Sequence, residues 1–387
     1  MITGSTDGSN WEHHAFLPHP LPDESPDLSG KAYRSVADAR AALAGLDATA
    51  ARLPNPRLFR HAALRLEAQS TAALEGTYEP VAKVLAAQAD QPSDAENASM
   101  REVLNYVHVA ETAFAWEAEG RPWSVSALSQ LHTELLRGTS SERDHAGVRA
   151  IQVVIGRRDD AAPNEIPVRA ARFVPPPPGP DLQARLTAVL DWMGRGRHGD
   201  IDPVVGAAMV HYGFEALHPF HDGNGRLGRL LIVVNLLRWE VLSEPTLTVS
   251  PWFEARRQAY YDALLGVSTQ GDWSTWVAFF ADGLTYAATQ TQARMLALAD
   301  VRAELKERIA QSRLRTANAH ALVDLAISSP TFTVRDAATH LNMQNPGASK
   351  LIDSLVDLGL LAPIDERTYG RRFHAPAVLR VLLGGHP

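Results

Sequence analysis

Asp202-Pro-Val-Val-Gly-Ala-Ala-Met-Val-His-Tyr-Gly-Phe-Glu-Ala-Leu217 is followed directly by His218-Pro-Phe-His-Asp-Gly-Asn-Gly-Arg-Leu-Gly-Arg229 and then by Leu230-Leu-Ile-Val-Val-Asn-Leu-Leu237. The outer stretches are apolar on every face of a helix, so both read as buried helices. The polar loop between them therefore lies at the edge of a core, where a cleft can form. Gly223, Asn224 and Gly225 permit unusual dihedrals and close approach of backbone to a ligand. They lead into a helix N-terminus, where unsatisfied N–H groups and the positive dipole end favour an anion.

Charge sharpens this expectation. Arg226 and Arg229 are three residues apart and share a face of the first turn. Cations there oppose the helix dipole by ~0.3–1 kcal/mol each, an arrangement that suits a di- or triphosphate bound between them. Asp222 adds a hard oxygen ligand of the kind that holds Mg²⁺ on phosphates. The imidazole of His218 can take a proton from an attacking hydroxyl. Alone, a Gly-Asn-Gly is usually a turn and a histidine usually a packed or exposed side chain. Together these residues form the set that phosphoryl or nucleotidyl transfer requires.

Outward from this loop the chain is mostly helical. Residues 1 to about 30 are rich in Gly, Pro, Ser and Asp and read as a mobile tail or a strap on a surface. Helices are expected from Tyr33 to Leu53, from Pro56 to Gln69 and from Ser70 to Glu75, the last closed by Gly76. Two more lie within 91–119, and another starts at Ser124. The alternating β-branched run from Arg149 to Arg158, the turn cluster after it and the extended Val168–Val174 predict a β-hairpin over 149–174. Pro175 to Pro178 form a rigid extended run. Helices resume at Asp181–Met193, Pro203–Ala216, Arg226–Trp239, Trp252–Gly266 and Trp273 to about Ile309. Beyond Gln311 come short helices, a turn near Asn342–Pro346, a helix from Gly347 to Leu360 and two short strands, the plan of a winged helix-turn-helix. The expected fold is all-α with a β-hairpin flap and a small C-terminal winged helix. The expected regions are a tail at 1–30, an N-terminal helical region at 31–120, a catalytic core at 121–310 and the winged helix at 315–387.

The bulk properties exclude several classes. The net charge of −7 lacks long single-sign runs, so it gives no general attraction to nucleic acid or an anionic membrane. The chain has no cysteine, which rules out disulfides, thiolate metal sites and a cysteine nucleophile and suits a reducing cytoplasm. No basic-then-apolar leader opens the sequence. No segment approaches the ~20 apolar residues of a membrane span. A cytoplasmic location with no membrane partner is expected.

The residues from His218 to Arg229 resemble the Fic family motif HPFx[D/E]GNGRxxR at every defined position. The flanks His211-Tyr-Gly-Phe-Glu215, Gly147-Val-Arg149, Gln152-Val-Val-Ile-Gly156 and Phe173-Val-Pro-Pro-Pro-Pro178 are similar to that family as well, and the likeness extends over most of 31–300. The resemblance implies a protein adenylyltransferase. ATP and Mg²⁺ would bind at the loop, with Asp222 on the metal and the Gly223, Asn224 and Gly225 amides around the phosphates. Arg226 and Arg229 would contact the phosphate tail. His218 would deprotonate a Ser, Thr or Tyr hydroxyl of a target protein held on the flap at about 151–175. Thr71-Ala-Ala-Leu-Glu75-Gly76 resembles the family's inhibitory helix, implying that Glu75 pairs with Arg229 and keeps the γ-phosphate from its seat. Six residues are also an ordinary helix end.

There are departures. Where the family often shows S-x-Y-x-x-x-N-R-x-x-Y-Y, this chain has Ser250-Pro-Trp-Phe-Glu-Ala-Arg256-Arg257-Gln-Ala-Tyr260-Tyr261. Arg256 replaces Asn in a region that borders base and ribose, where Tyr261 would also lie. Val153-Val154 replace the flap's usual aromatic. Removal of AMP, transfer of a different nucleotide and self-association stay open. So does a transcription regulator with a Fic-like sensor. Residues 316–387 hold six basic residues (335, 350, 367, 371, 372, 380) and six acidic ones. Lys350 shares its helix with Asp353 and Asp357, so a protein-docking or packing role is favoured over DNA binding.

Overall fold

Punctuation residues set most element boundaries in the computed structural model, which describes residues 1–6, 9–53, 55–86, 97–142, 147–195, 199–314, 316–364 and 371–384. The chain opens with strands β1 (Ile2–Thr6) and β2 (Ser9–His13). Helices α1 (Gly30–Arg52), α2 (Arg57–Leu74), α3 (Val81–Ala86), α4 (Ala98–Ala118) and α5 (Val125–Leu136) follow. A short excursion contains β3 (Ile155–Arg157), α6 (Pro167–Ala170) and β4 (Ala171–Phe173). Then come α7 (Pro180–Gly194), α8 (Pro203–Leu217), α9 (Asn224–Arg238), α10 (Ser250–Ala255), α11 (Arg257–Gln270) and α12 (Trp273–Gln311). The last part holds α13 (Ala317–Ser328), β5 (Phe332–Thr333), α14 (Val334–His340), α15 (Asn345–Asp357), β6 (Ala362–Pro363), β7 (Arg372–His374) and α16 (Pro376–Leu382). The chain divides into two units: residues 1–41, 108–242 and 252–285 form the first, and 42–107, 243–251 and 286–387 the second.

In the first unit α8 is the central helix. Asp202 caps its start, accepting from the Val204 amide at 2.8 Å, and Pro203 takes the first turn, where no N–H is needed. Val204 through Leu217 are buried with the single exception of half-buried Glu215, and α8 packs against α7, α9 and α11. The approach to α9 requires glycine. A Cβ at Gly206 would lie 2.1 Å from Cζ3 of Trp239, a ring that is itself 2% exposed and cannot swing away. Gly206→Ala is therefore expected to cost about 1–3 kcal/mol through overpacking, read as a lower unfolding midpoint. An unchanged midpoint would show that the helix pair has slack.

The hairpin expected over 149–174 is much shorter than the sequence suggests. β3 and β4 pair antiparallel with Ile155 opposite Phe173 and Arg157 opposite Ala171. Residues 147–154 are irregular and 167–170 form one helical turn. Continuing the register would set residues 153 and 151 opposite Pro175 and Pro177, which have no N–H to donate, so the ladder stops. The N-terminal stretch read as a tail or strap contains the β1–β2 hairpin, with Trp11 opposite Gly4. Its Ile2 and Trp11, with Ala15, join an apolar cluster with Val154, Ile166, Val168, Ala171 and Val174. The Phe16 amide donates to the Val174 carbonyl at 2.8 Å. The mobile-tail expectation thus gives way to a packed strap.

Two helix boundaries also differ. The break expected between Gln69 and Ser70 is absent: α2 runs unbroken to Leu74, because no residue there stops it before Gly76 (φ +93°). The helix expected over Trp252–Gly266 is interrupted at Arg256 (φ −128°), whose guanidinium lies 3.4 Å from the Trp252 ring centroid.

In the second unit α2 packs against α3 and α13. Glu67 of α2 is buried and accepts from the Ser250 amide at 2.9 Å and its hydroxyl at 2.5 Å. Asp324 of α13 takes Arg302 at 2.6 Å and Lys306 at 2.8 Å from α12. Burial pushes its carboxyl up, but these two cations outweigh that and hold it below the usual carboxylate range. The C-terminal part runs helix, strand, helix, helix, strand, strand, helix, with an antiparallel sheet in the order β5-β7-β6. A capping box between Thr333 and Asp336 starts α14. Lys350, Asp353 and Asp357 are exposed on α15, and Arg367 lies outside the described residues. No described helix is long and apolar enough to cross a membrane.

Candidate active site

His218 ends α8 in a left-handed conformation (φ 45°, ψ 61°), its amide still bonded to the Phe214 carbonyl at 3.0 Å. For a residue with a Cβ this conformation costs ~1–2 kcal/mol. Strain at that position is held by the surrounding chain. The loop then closes on Asn224. The Asn224 side chain accepts from the Phe220 amide at 2.9 Å and donates to the Phe220 carbonyl at 2.8 Å, and it is buried. Gly223 (φ +78°) turns the chain into α9, where a β-carbon would meet Leu135 at 3.0 Å. The loop is thus pinned at both ends, leaving the first N–H groups of α9 at its mouth.

Asp222 sits at this mouth with a side chain 38% exposed. Its Oδ1 accepts from the Gly223 amide at 2.6 Å and from Arg226 at 3.1 Å. Burial raises its carboxyl, but the Arg226 charge, the Gly223 amide and hydrogen bonds from Ser141 and Arg226 outweigh it, so the group is held below the usual carboxylate range and is ionised at neutral pH. Arg226 and Arg229 are both buried in the first turns of α9. One part of the sequence expectation changes here. The anion beside Arg226 is Asp222 of the same loop, so this arginine does not depend on a bound phosphate to be tolerated.

Three buried residues that sequence reasoning did not single out hold this arrangement. His132 of α5 is fully buried and stacks on Phe220 with ring centroids 4.0 Å apart. Its Nδ1 accepts from the Gly147 amide at 3.3 Å, so Nε2 carries the proton and donates to the Asp222 carbonyl at 2.9 Å. Arg149 donates from Nε to the His218 carbonyl at 2.8 Å. His211, two turns before His218 on α8, bonds through Nδ1 to the Gly228 carbonyl at 3.0 Å and through Nε2 to the Tyr260 hydroxyl at 2.8 Å. Burial, reinforced by the nearby Arg229 charge, pushes the His211 pKa down to about 3 although the Gly228 bond opposes this. This neutral histidine ties α9, between its two arginines, to α8 and α11. In the sequence, Arg149 and His211 carried a signal only through the family-like runs Gly147-Val-Arg149 and His211-Tyr-Gly-Phe-Glu215, with no role attached, and His132 is indistinguishable there from a packed helical histidine.

Tyr261 stands half-buried on α11, its ring 5.2 Å from that of Tyr260. Glu75 is the C-cap of α2 and belongs to the second unit, whereas the loop, Arg226, Arg229 and Tyr261 belong to the first. Among the described residues no cluster of three His, Asp or Glu side chains could hold a metal. A single ionised carboxylate, Asp222, fits a Mg²⁺ that is held mainly by phosphate oxygens and water.

A sequence profile described as Fic/DOC family N-terminal matches residues 33–115, and one described as Fic/DOC family matches residues 122–236. The chain belongs to the Fic/DOC family. The main Fic/DOC region runs from just before α5 into α9 and encloses His132, Arg149, His211 and the whole 218–229 loop, while the N-terminal region contains Glu75. A Fic/DOC relative from Culex quinquefasciatus, named Protein adenylyltransferase Fic, is 37% identical over 109 residues, which is 28% of this chain and 20% of that protein. Protein adenylyltransferase fic-1 of Caenorhabditis elegans is 27% identical over 158 residues, 41% of this chain and 26% of that one. The match to these curated relatives thus spans about a quarter of their length or less. A crystal structure of a Fic family protein from Desulfovibrio desulfuricans G20 shares the fold, with a TM-score of 0.54 at 21% identity over 92% of this chain and 98% of that one.

Proposed function

We propose that this Fic/DOC protein transfers AMP from ATP to a Ser, Thr or Tyr hydroxyl of a target protein and of itself, and that Glu75 restrains it. The observation that carries this proposal is the 218–229 loop: a histidine held in a left-handed turn, an ionised carboxylate and two buried arginines within one helix-to-helix connection. The relatives named adenylyltransferases support it.

His218 takes the proton of the target hydroxyl as its oxygen bonds to the α-phosphorus, and the bond to the β-phosphate oxygen breaks to release pyrophosphate. The amides at the start of α9 and the guanidinium groups of Arg226 and Arg229 bind the phosphate oxygens and steady the charge that develops on them. Asp222 would hold Mg²⁺, which when bound neutralises phosphate charge. The flap around 151–175 presents main-chain groups to an extended target segment. Tyr261 borders the nucleoside. Glu75 would compete with the γ-phosphate for Arg229. The mixed charge on α15 favours the C-terminal part, read as a winged helix, as a protein-docking element.

Intact-mass measurement of the wild type and of Glu75→Gly, after incubation with Mg²⁺ and each nucleoside triphosphate in turn, tests the proposal. A gain of AMP with ATP is expected. Glu75→Gly should label about 10–100-fold faster, the equivalent of one charge-assisted hydrogen bond of ~1.5–3 kcal/mol. Equal labelling of the two proteins would end the role given to Glu75. Labelling with another nucleotide in preference to ATP would end the choice of AMP, and no labelling of either protein would end the transfer reading.

A further inference from the structure

Arg149 is 5% exposed, and none of its bonds among the described residues goes to a carboxylate. Its guanidinium donates instead to four carbonyls. Nε reaches His218 at 2.8 Å, one terminal nitrogen reaches Ile151 at 3.2 Å, and the other reaches Pro176 and, at 3.5 Å, Leu217. Its own amide donates to the Pro219 carbonyl at 2.9 Å. One residue thus takes three successive carbonyls at the end of α8, from Leu217 to Pro219, and two from the two legs of the flap.

The need for such a donor follows from the sequence. A helix leaves its last carbonyls without intrahelical partners. Usually the amides just past the end turn back to satisfy them. Here the residue after the cap is Pro219, which has no N–H. An outside donor must serve instead, and a cation is favoured at that end by the helix dipole. A guanidinium can do this because its donors are spread in a rigid plane, whereas a lysine ammonium is a point.

We propose that Arg149 is a positioning residue for the transfer reaction: it holds His218 in its left-handed turn and locks that turn to the flap. The proposal rests on the transfer function above. Its consequence is that the base and the target-binding strand move as one body, so the hydroxyl is presented to an imidazole already in register. A misplacement of about 1 Å in such a pair lowers the rate ~10²-fold. Nucleotide affinity, set on α9, should hardly respond.

The test uses the full chain with Arg149→Met, which removes the charge and the fork, and Arg149→Lys, which keeps the charge alone. Hydrogen exchange is followed in 151–157 and in 217–223, alongside ATP affinity and transfer kinetics. In Arg149→Met, exchange should rise in both segments together, kcat should fall ~10²-fold, and the Kd for ATP should stay at the parent value. Arg149→Lys should recover only part of the rate, and if Arg149→Met fails to fold it bears the test alone. A parent-like kcat, exchange that rises in one segment only, or an equal loss in ATP affinity would overturn the proposal. If the parent transfers no nucleotide, the transfer function fails, and the exchange data then decide the brace by themselves: a joint rise upholds it and no rise overturns it.

Discussion

His218→Asn should leave a folded, ATP-binding protein that no longer transfers AMP. Asparagine is the substitution of choice because His218 sits at φ 45°, and asparagine tolerates the left-handed region where alanine would add strain. The α8 end, the Arg149 bonds to its carbonyls and the Asn224 clasp all use main-chain atoms of the turn, so they survive the change. What is lost is the group proposed to accept the proton. A positioned general base is worth about 10²–10⁴-fold, and a loss of that order in label incorporation at unchanged ATP affinity is the expected outcome. A rate within about tenfold of the parent, less than a base contributes, would mean that the proton goes elsewhere.

The second large effect is on stability in acid. His211 is a base whose pKa is about 3 in the folded protein against 6.5 in an unfolded chain. Below pH 6.5 the unfolded chain takes up a proton that the folded one refuses. The stability it contributes is therefore complete above pH 6.5 and is lost as the pH falls from 6.5 toward 3, at up to ~1.4 kcal/mol per unit. His374, lowered chiefly by burial, adds to the same slope in its own part of the chain. The stability from the carboxylates held low, Asp222 and Asp324, is present above the ordinary value of 3.8 and is lost only as the pH falls below it. Denaturant unfolding between pH 7.5 and 5, followed by the fluorescence of the eight tryptophans, among them Trp276, whose ring lies 5.9 Å from His211, should show a steep fall. His211→Gln keeps a donor and an acceptor but does not titrate. It should be less stable at pH 7.5 and should show a much shallower fall, and equal slopes in the two proteins would refute the assignment.

The loop was legible in the sequence because its chemistry is local. Two all-apolar helices, a glycine-bounded turn and the charges beside it are encoded within 36 consecutive residues, 202–237. Its bracing was not legible. The contact of His132 with Asp222 spans 90 residues, and that of Arg149 with His218 spans 69. Nothing in helical periodicity marks one histidine or arginine as the partner of a distant carbonyl. The flap shows the opposite error. Its β-branched alternation promised long strands, yet the prolines that cut the ladder short were visible at 175–178 and their positions opposite 151–153 followed only from the register. The N-terminal hairpin escaped because its Gly4, Asn10 and Glu12 have low strand propensity. Trp11 lying over Gly4 compensates by packing.

Under the proposed transfer function, the short flap ladder would set a limit on selectivity. Among the described residues β3 pairs only with β4, and Phe16 already engages the chain just past β4. An extended segment joining this sheet would add along the three residues of β3, through main-chain groups that every sequence possesses. So small a template reads few side chains and grips weakly. Choice among substrates would then be a matter of which hydroxyls can be delivered on an exposed, pliable loop, and of surfaces far from the reacting atoms, more than of a consensus around the modified residue.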